Sequence, residues 1–134
     1  MAVDYAALKV GDRISDRTYK MDAASVAKYV DAVMDRSGIF DPGEQGAVVP
    51  AMAIAALSMR GVVNDLGIPG GTVHVAQELE FHMVVRIGET LECKAKIFQN
   101  STRGGWRFLV VRLSVEDGSG EPAMTGKSTI MLPV

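Results

Sequence analysis

A single cysteine, Cys93, stands in the whole chain, so no intrachain disulfide can form. That scarcity fits a reducing compartment, and a cytoplasmic setting is expected. Met1 to Val10 lacks a basic run followed by an apolar core, so no signal peptide is expected. The longest apolar run, Ala47 to Leu57, is too short to span a bilayer, which argues against a membrane partner. No basic stretch is present either. Fourteen Lys and Arg against 16 Asp and Glu leave a net charge of −2, which argues against a nucleic-acid partner. The only histidines, His74 and His82, share a strand parity and stand roughly 27 Å apart along a strand. One metal ion cannot use both. No cofactor and no metal are expected.

What is present is the composition of a globule. Of 134 residues, 48% are hydrophobic and 22% charged, which argues against disorder. The length suits one domain, 1–134, and allows burial of roughly two-thirds of the unfolded surface. A strand is expected from Arg13 to Met21. Asp22 then caps a helix, with Met21 packing on Val26 as a hydrophobic staple. Val26, Tyr29, Val30, Val33 and Met34 follow at helical spacing, and Gly38 is the expected stop.

A second helix is expected from Pro50 to Leu66. Its segment Ala51 to Leu57 is apolar around the whole circumference, so burial on nearly all sides is expected. The remaining chain supplies a sheet to wrap it. Val73, Val75, Leu79, Phe81, Met83 and Val85 alternate with polar residues, which predicts a strand with one buried face and with His82 on the solvated one. Leu91, Cys93, Ala95 and Ile97 form a second apolar row. Cys93 therefore reads as a small core residue. Ser101 to Gly105 reads as a loop, Leu109 to Val115 as a third strand, Asp117-Gly118-Ser119-Gly120 as a hairpin turn, and Ala123 to Leu132 as the last strand.

Three stretches carry a resemblance: Leu8-Lys9-Val10-Gly11-Asp12-Arg13, Phe81 to Leu91 with its Arg86-Ile87-Gly88-Glu89 turn, and Gly120-Glu121. Their order and spacing resemble the MaoC-like hot-dog family, with Val84 where the family has proline. The resemblance implies an α+β hot-dog fold, a long central helix wrapped by a curled antiparallel sheet. It also implies (R)-specific enoyl-thioester hydration or 3-hydroxyacyl dehydration, part of fatty acid metabolism, on acyl chains carried by coenzyme A or acyl carrier protein. The family signature is Ser-Gly-Asp-x-Asn-Pro-x-His, in which Asp and His handle water and proton. Here the stretch reads Ser37-Gly38-Ile39-Phe40-Asp41-Pro42-Gly43-Glu44. Ile39 stands at the Asp position and Glu44 at the His position, and Ile39 has no proton to exchange.

The resemblance places substrate binding at Ile39, Phe40, Val49, Pro50, Ala51 and Met52, where free helix-start amides would meet a thioester carbonyl. Three readings stay open. The chain is a non-catalytic or weakly active dehydratase subunit, or a stand-alone dehydratase with a different acid and base, or a thioesterase using Asp41 or Glu44. Asp41 and Glu44 are the catalytic candidates, although Asp-Pro-Gly is also an ordinary turn. A homodimer, or a heterodimer with a catalytic hot-dog subunit, is expected. Met52, Met59 and Met83 suit an acyl channel or a plain core. Arg103, Trp106 and Arg107 suit either a nucleotide or a solvated hairpin end.

Overall fold

The computed structural model describes residues 3–35 and 47–134. The order of elements is β1 (Arg13–Lys20), α1 (Ala23–Ala32), α2 (Ala51–Leu66), β2 (Val73–Phe81), β3 (Thr90–Arg103), β4 (Trp106–Glu116) and β5 (Pro122–Pro133). The five strands form one antiparallel sheet in the order β1-β3-β4-β5-β2. The long helix α2 packs on β1, β3 and β4, the hot-dog arrangement expected from the sequence. Leu91, Cys93, Ala95 and Ile97 of β3 and Leu109, Val111, Leu113 and Val115 of β4 turn one face of the sheet inward. Ala53, Ile54, Val62 and Leu66 of α2 meet that face.

Asp22 caps α1 by accepting a hydrogen bond from the Ser25 amide at 2.8 Å, and Met21 and Val26 are both buried beside it. The helix ends earlier than its apolar spacing predicts. Met34 takes a left-handed backbone, φ 58, and the Asp35 amide donates to the Val30 carbonyl while the Met34 amide donates to Asp31. This is a Schellman closure with methionine where glycine is usual. It leaves Val33 and Met34 exposed rather than on the apolar face. Gly38, the expected stop, lies outside the described residues.

Three further expectations are corrected. Helix α2 is not buried on all sides, because a single sheet layer covers only one side of it and Met52 and Val63 stay exposed. Residues 101–103 are strand rather than loop, since the β3–β4 pairing runs out to Arg103↔Trp106 and only Gly104 and Gly105 make the turn. The apolar row that begins in β2 is covered only in part. Leu79 and Met83 pack on the core and Val85 is buried, whereas Val73 is 46% exposed, Val75 50% and Phe81 39%, because β2 lies at the sheet edge, beyond the strands that α2 packs on, and is paired among the described residues with β5 alone.

Candidate functional site

The segment before α2 is held by the turn after β2. The Val49 amide donates to the Val85 carbonyl at 2.7 Å, and the Ile87 amide donates to Ala47 at 3.0 Å. The same turn grips the end of β1. The Met21 amide donates to the Glu89 carbonyl and the Gly88 amide donates to Met21, both at 2.8 Å. The stretch that carried the family resemblance is thus the clamp that sets where α2 begins. Gly88 sits in it at φ 102, a conformation that side chains oppose. We expect Gly88→Ala to lower stability by about 1–2 kcal/mol. Urea unfolding checks this, and an unchanged midpoint would count against the clamp.

Pro50 caps α2 without a side-chain hydrogen bond to its amides. The carbonyl of Pro50 receives the amides of Ala53 and Ile54. The amides of Ala51 and Met52 precede any intrahelical acceptor and face outward at the positive end of the helix dipole. Val49 and Pro50 are buried, whereas Ala51 and Met52 are exposed. The start of the helix is therefore anchored on its sheet side and open toward solvent. That is the arrangement needed to polarise a carbonyl oxygen from backbone donors.

A pocket of about 440 Å³ opens beside it, lined chiefly by Val49, Ala51, Ile54, Phe81, Met83 and Val85. Among the described residues its walls are apolar with one ionisable group, His82, in keeping with small-molecule sites generally. The Nε2 atom of His82 lies 2.7 Å from the Thr125 hydroxyl. Strand parity assigns His82 to a solvated face. The strand stops at Phe81, however, and the side chain, although exposed, borders this pocket. The His82 amide still donates to the Ala123 carbonyl at 2.9 Å, and nothing in the local sequence marks the strand end at Phe81.

The remaining candidates divide. Ile39, Phe40, Asp41 and Glu44 lie outside the described residues. Arg107 donates to Asn100 Oδ1 at 2.8 Å, and Arg103 lies over the Phe108 ring, so both are engaged within the β3–β4 hairpin. Cys93 is buried, and burial pushes its thiol up to about 12. A thiol of that kind is not ionised at neutral pH and is a poor nucleophile. We expect native protein to resist iodoacetamide at pH 8 while urea-unfolded protein is alkylated, as read by intact mass. Equal labelling in both states would contradict the core assignment. Among the described residues no His, Cys, Asp and Glu cluster is arranged to hold a metal, and no helix is long and apolar enough to cross a membrane.

Comparison with known proteins agrees with this fold. Residues 8–126 match the family described as FAS1-like, dehydratase domain region. A UPF0336 protein of Saccharopolyspora erythraea is 29% identical over 126 residues, covering 84% of this chain and 81% of that protein. An (R)-hydratase from A. caviae involved in PHA biosynthesis superposes with a TM-score of 0.81 at 19% identity, over 95% of this chain and 98% of that one. The C-terminally truncated HadBC complex of Mycobacterium tuberculosis, a 3R-hydroxyacyl-ACP dehydratase, gives a TM-score of 0.76 at 20% identity, over 98% and 99%.

Proposed function

Because the chain belongs to the FAS1-like dehydratase-domain family and has the hot-dog fold of MaoC-like hydratases, we propose that it binds an acyl thioester and works as a non-catalytic or weakly active subunit of a dehydratase. The observation that carries this reading is the start of α2. Two backbone donors without helical acceptors lie at Ala51, which borders an apolar pocket, and at the adjoining Met52. A thioester carbonyl accepts from such donors, and its acyl chain fills such a pocket. The departure at Ile39 and Glu44 favours a subunit role over stand-alone hydration, because the residue at the Asp position has no proton to exchange.

The partner in this reading is a second hot-dog chain carrying an intact Asp–His pair. The exposed edge of β2 suits it. An unpaired apolar edge strand is a pairing hazard that a partner's strand removes. The resemblance to HadBC, a two-component dehydratase, supports the same assembly. A homodimer through the same edge is the alternative. Co-expression with a catalytic hot-dog subunit tests the reading. A stoichiometric complex that dehydrates 3-hydroxybutyryl-CoA faster than either chain is expected. A chain that stays monomeric at micromolar concentration, with or without that partner, would refute it.

A second reading, stand-alone slow hydration, is favoured by one observation. His82 borders the same pocket as Ala51. In that case His82 would handle the proton, and His82→Ala would remove any residual turnover of the chain alone.

A further inference from the structure

A larger cavity, about 610 Å³, lies on a different stripe of α2, between that helix, α1 and β1. Its volume falls within the range of about 300–1,000 Å³ usual for small-molecule sites. The floor is apolar, formed by Met21, Val26, Ala53 and Leu57. Among the described residues three cations line it, Lys20, Lys28 and Arg60, against one carboxylate, Asp22. That carboxylate is already occupied in capping α1. Among the described residues Arg60 forms no ion pair. Its guanidinium carbon stands 5.8 Å from the centre of the Tyr19 ring. The Tyr19 hydroxyl oxygen is buried and has no hydrogen-bond partner. Burial also raises its pKa above the ordinary value, so the phenol stays protonated and able to donate.

An unsatisfied buried hydroxyl beside an unpaired guanidinium is unusual in a finished core. Among the described residues neither group has a hydrogen-bond acceptor, and both residues line the cavity. A ligand carboxylate supplies acceptors to both, and the apolar floor accommodates its chain. We propose that this cavity binds the carboxylate end of an apolar acid, held by Arg60 and the Tyr19 hydroxyl. This is a second site, separate from the thioester pocket, and only the acyl-thioester source named next rests on that reading. The same chemistry has two sources, a free medium-chain fatty acid or the far carboxylate of a dicarboxylic acyl thioester.

The probes are decanoate, decan-1-ol and decanedioyl-CoA, titrated calorimetrically against the wild-type chain, Arg60→Met and Tyr19→Phe. Arg60 is exposed and Tyr19→Phe keeps the ring, so both variants should retain the wild-type circular dichroism and melting temperature. Decanoate should bind at least about ten-fold more tightly than decan-1-ol, the usual advantage of hydrogen bonds to a charged group. Each substitution should weaken the carboxylate probe by about ten-fold and leave decan-1-ol unchanged. A loss confined to decanoate assigns the free acid as the source. A loss confined to decanedioyl-CoA, with decanoate failing to bind, assigns the far end of a thioester. If Arg60→Met changes the binding of neither carboxylate probe, the proposal is overturned.

Discussion

Purified alone, the chain should hydrate crotonyl-CoA at least about 10²-fold more slowly than a hot-dog hydratase with an intact Asp–His pair, since each positioned acid or base typically contributes about 10²- to 10⁴-fold. Hydration must activate a water molecule and protonate the α-carbon. Ile39 supplies neither function. Glu44 is a carboxylate where the family has histidine. In the proposed function carbonyl polarisation by the amides of Ala51 and Met52 remains, and it should sustain at most slow turnover. Glu44→Ala and Asp41→Ala should therefore leave that slow rate unchanged. Fast hydration by the chain alone, abolished by Glu44→Ala, would contradict this account of the missing pair. Release of free thiol dependent on Asp41 or Glu44 would point to a thioesterase instead.

The second large effect concerns the strand that carries both the pocket wall and the pairing edge. Gly126→Ala should destabilise the protein by about 1–3 kcal/mol or more, the range for overpacking a close contact. A Cβ at Gly126 would stand 2.2 Å from the carbonyl oxygen of Glu78 and 3.1 Å from the Cα of Leu79. Both are backbone atoms of β2, so no side-chain rotation relieves the clash. The strand must move away from β5, to which its only ladder belongs. Urea unfolding should show the lower midpoint, and hydrogen exchange should show the amides of β2 opening first. Because β2 is the proposed partner edge, subunit association should weaken in parallel. An alanine variant with wild-type stability and unchanged β2 protection would contradict the close contact between Gly126 and β2.

Much of the fold was legible because local chemistry and burial agree there. Asp22 followed by Val26, Tyr29 and Val30 reads as a capped amphipathic helix, and it forms one. Asp117 closes its hairpin by accepting the amides of Ser119 and Glu121, both at 2.9 Å, as a turn aspartate does. The rows in β3 and β4 alternate because both strands are interior to the sheet and one face meets α2. The misreadings arise where a single chain does not complete the environment its pattern implies. The valines of β2 alternate as a buried row should, yet they lie on an open edge. The segment Ala51 to Leu57 of α2 is apolar all round, yet only one side is covered. Both features are consistent with a partner on those surfaces.

Tertiary closure explains the rest. Nothing in the local sequence marks Met34 as the residue that turns left-handed, since the closure is completed by hydrogen bonds back to Val30 and Asp31. The pocket role of His82 depends on β2 ending one residue earlier, where β2 gives way to the turn that anchors residues 47–49. The cavity around Tyr19 and Arg60 joins residues about forty positions apart, which periodicity cannot bring together. Ile39 and Glu44 work the other way. Their significance comes from the motif they interrupt, and only the sequence speaks to it.

The central claim is that the start of α2 receives a thioester carbonyl. Amide hydrogen exchange on the purified chain, with and without saturating butyryl-CoA, tests it most directly. The account predicts slower exchange at Ala51 and Met52, together with protection along the pocket wall from Phe81 to Val85. Protection confined to Trp106 and its neighbours, or none at the start of α2, would contradict it.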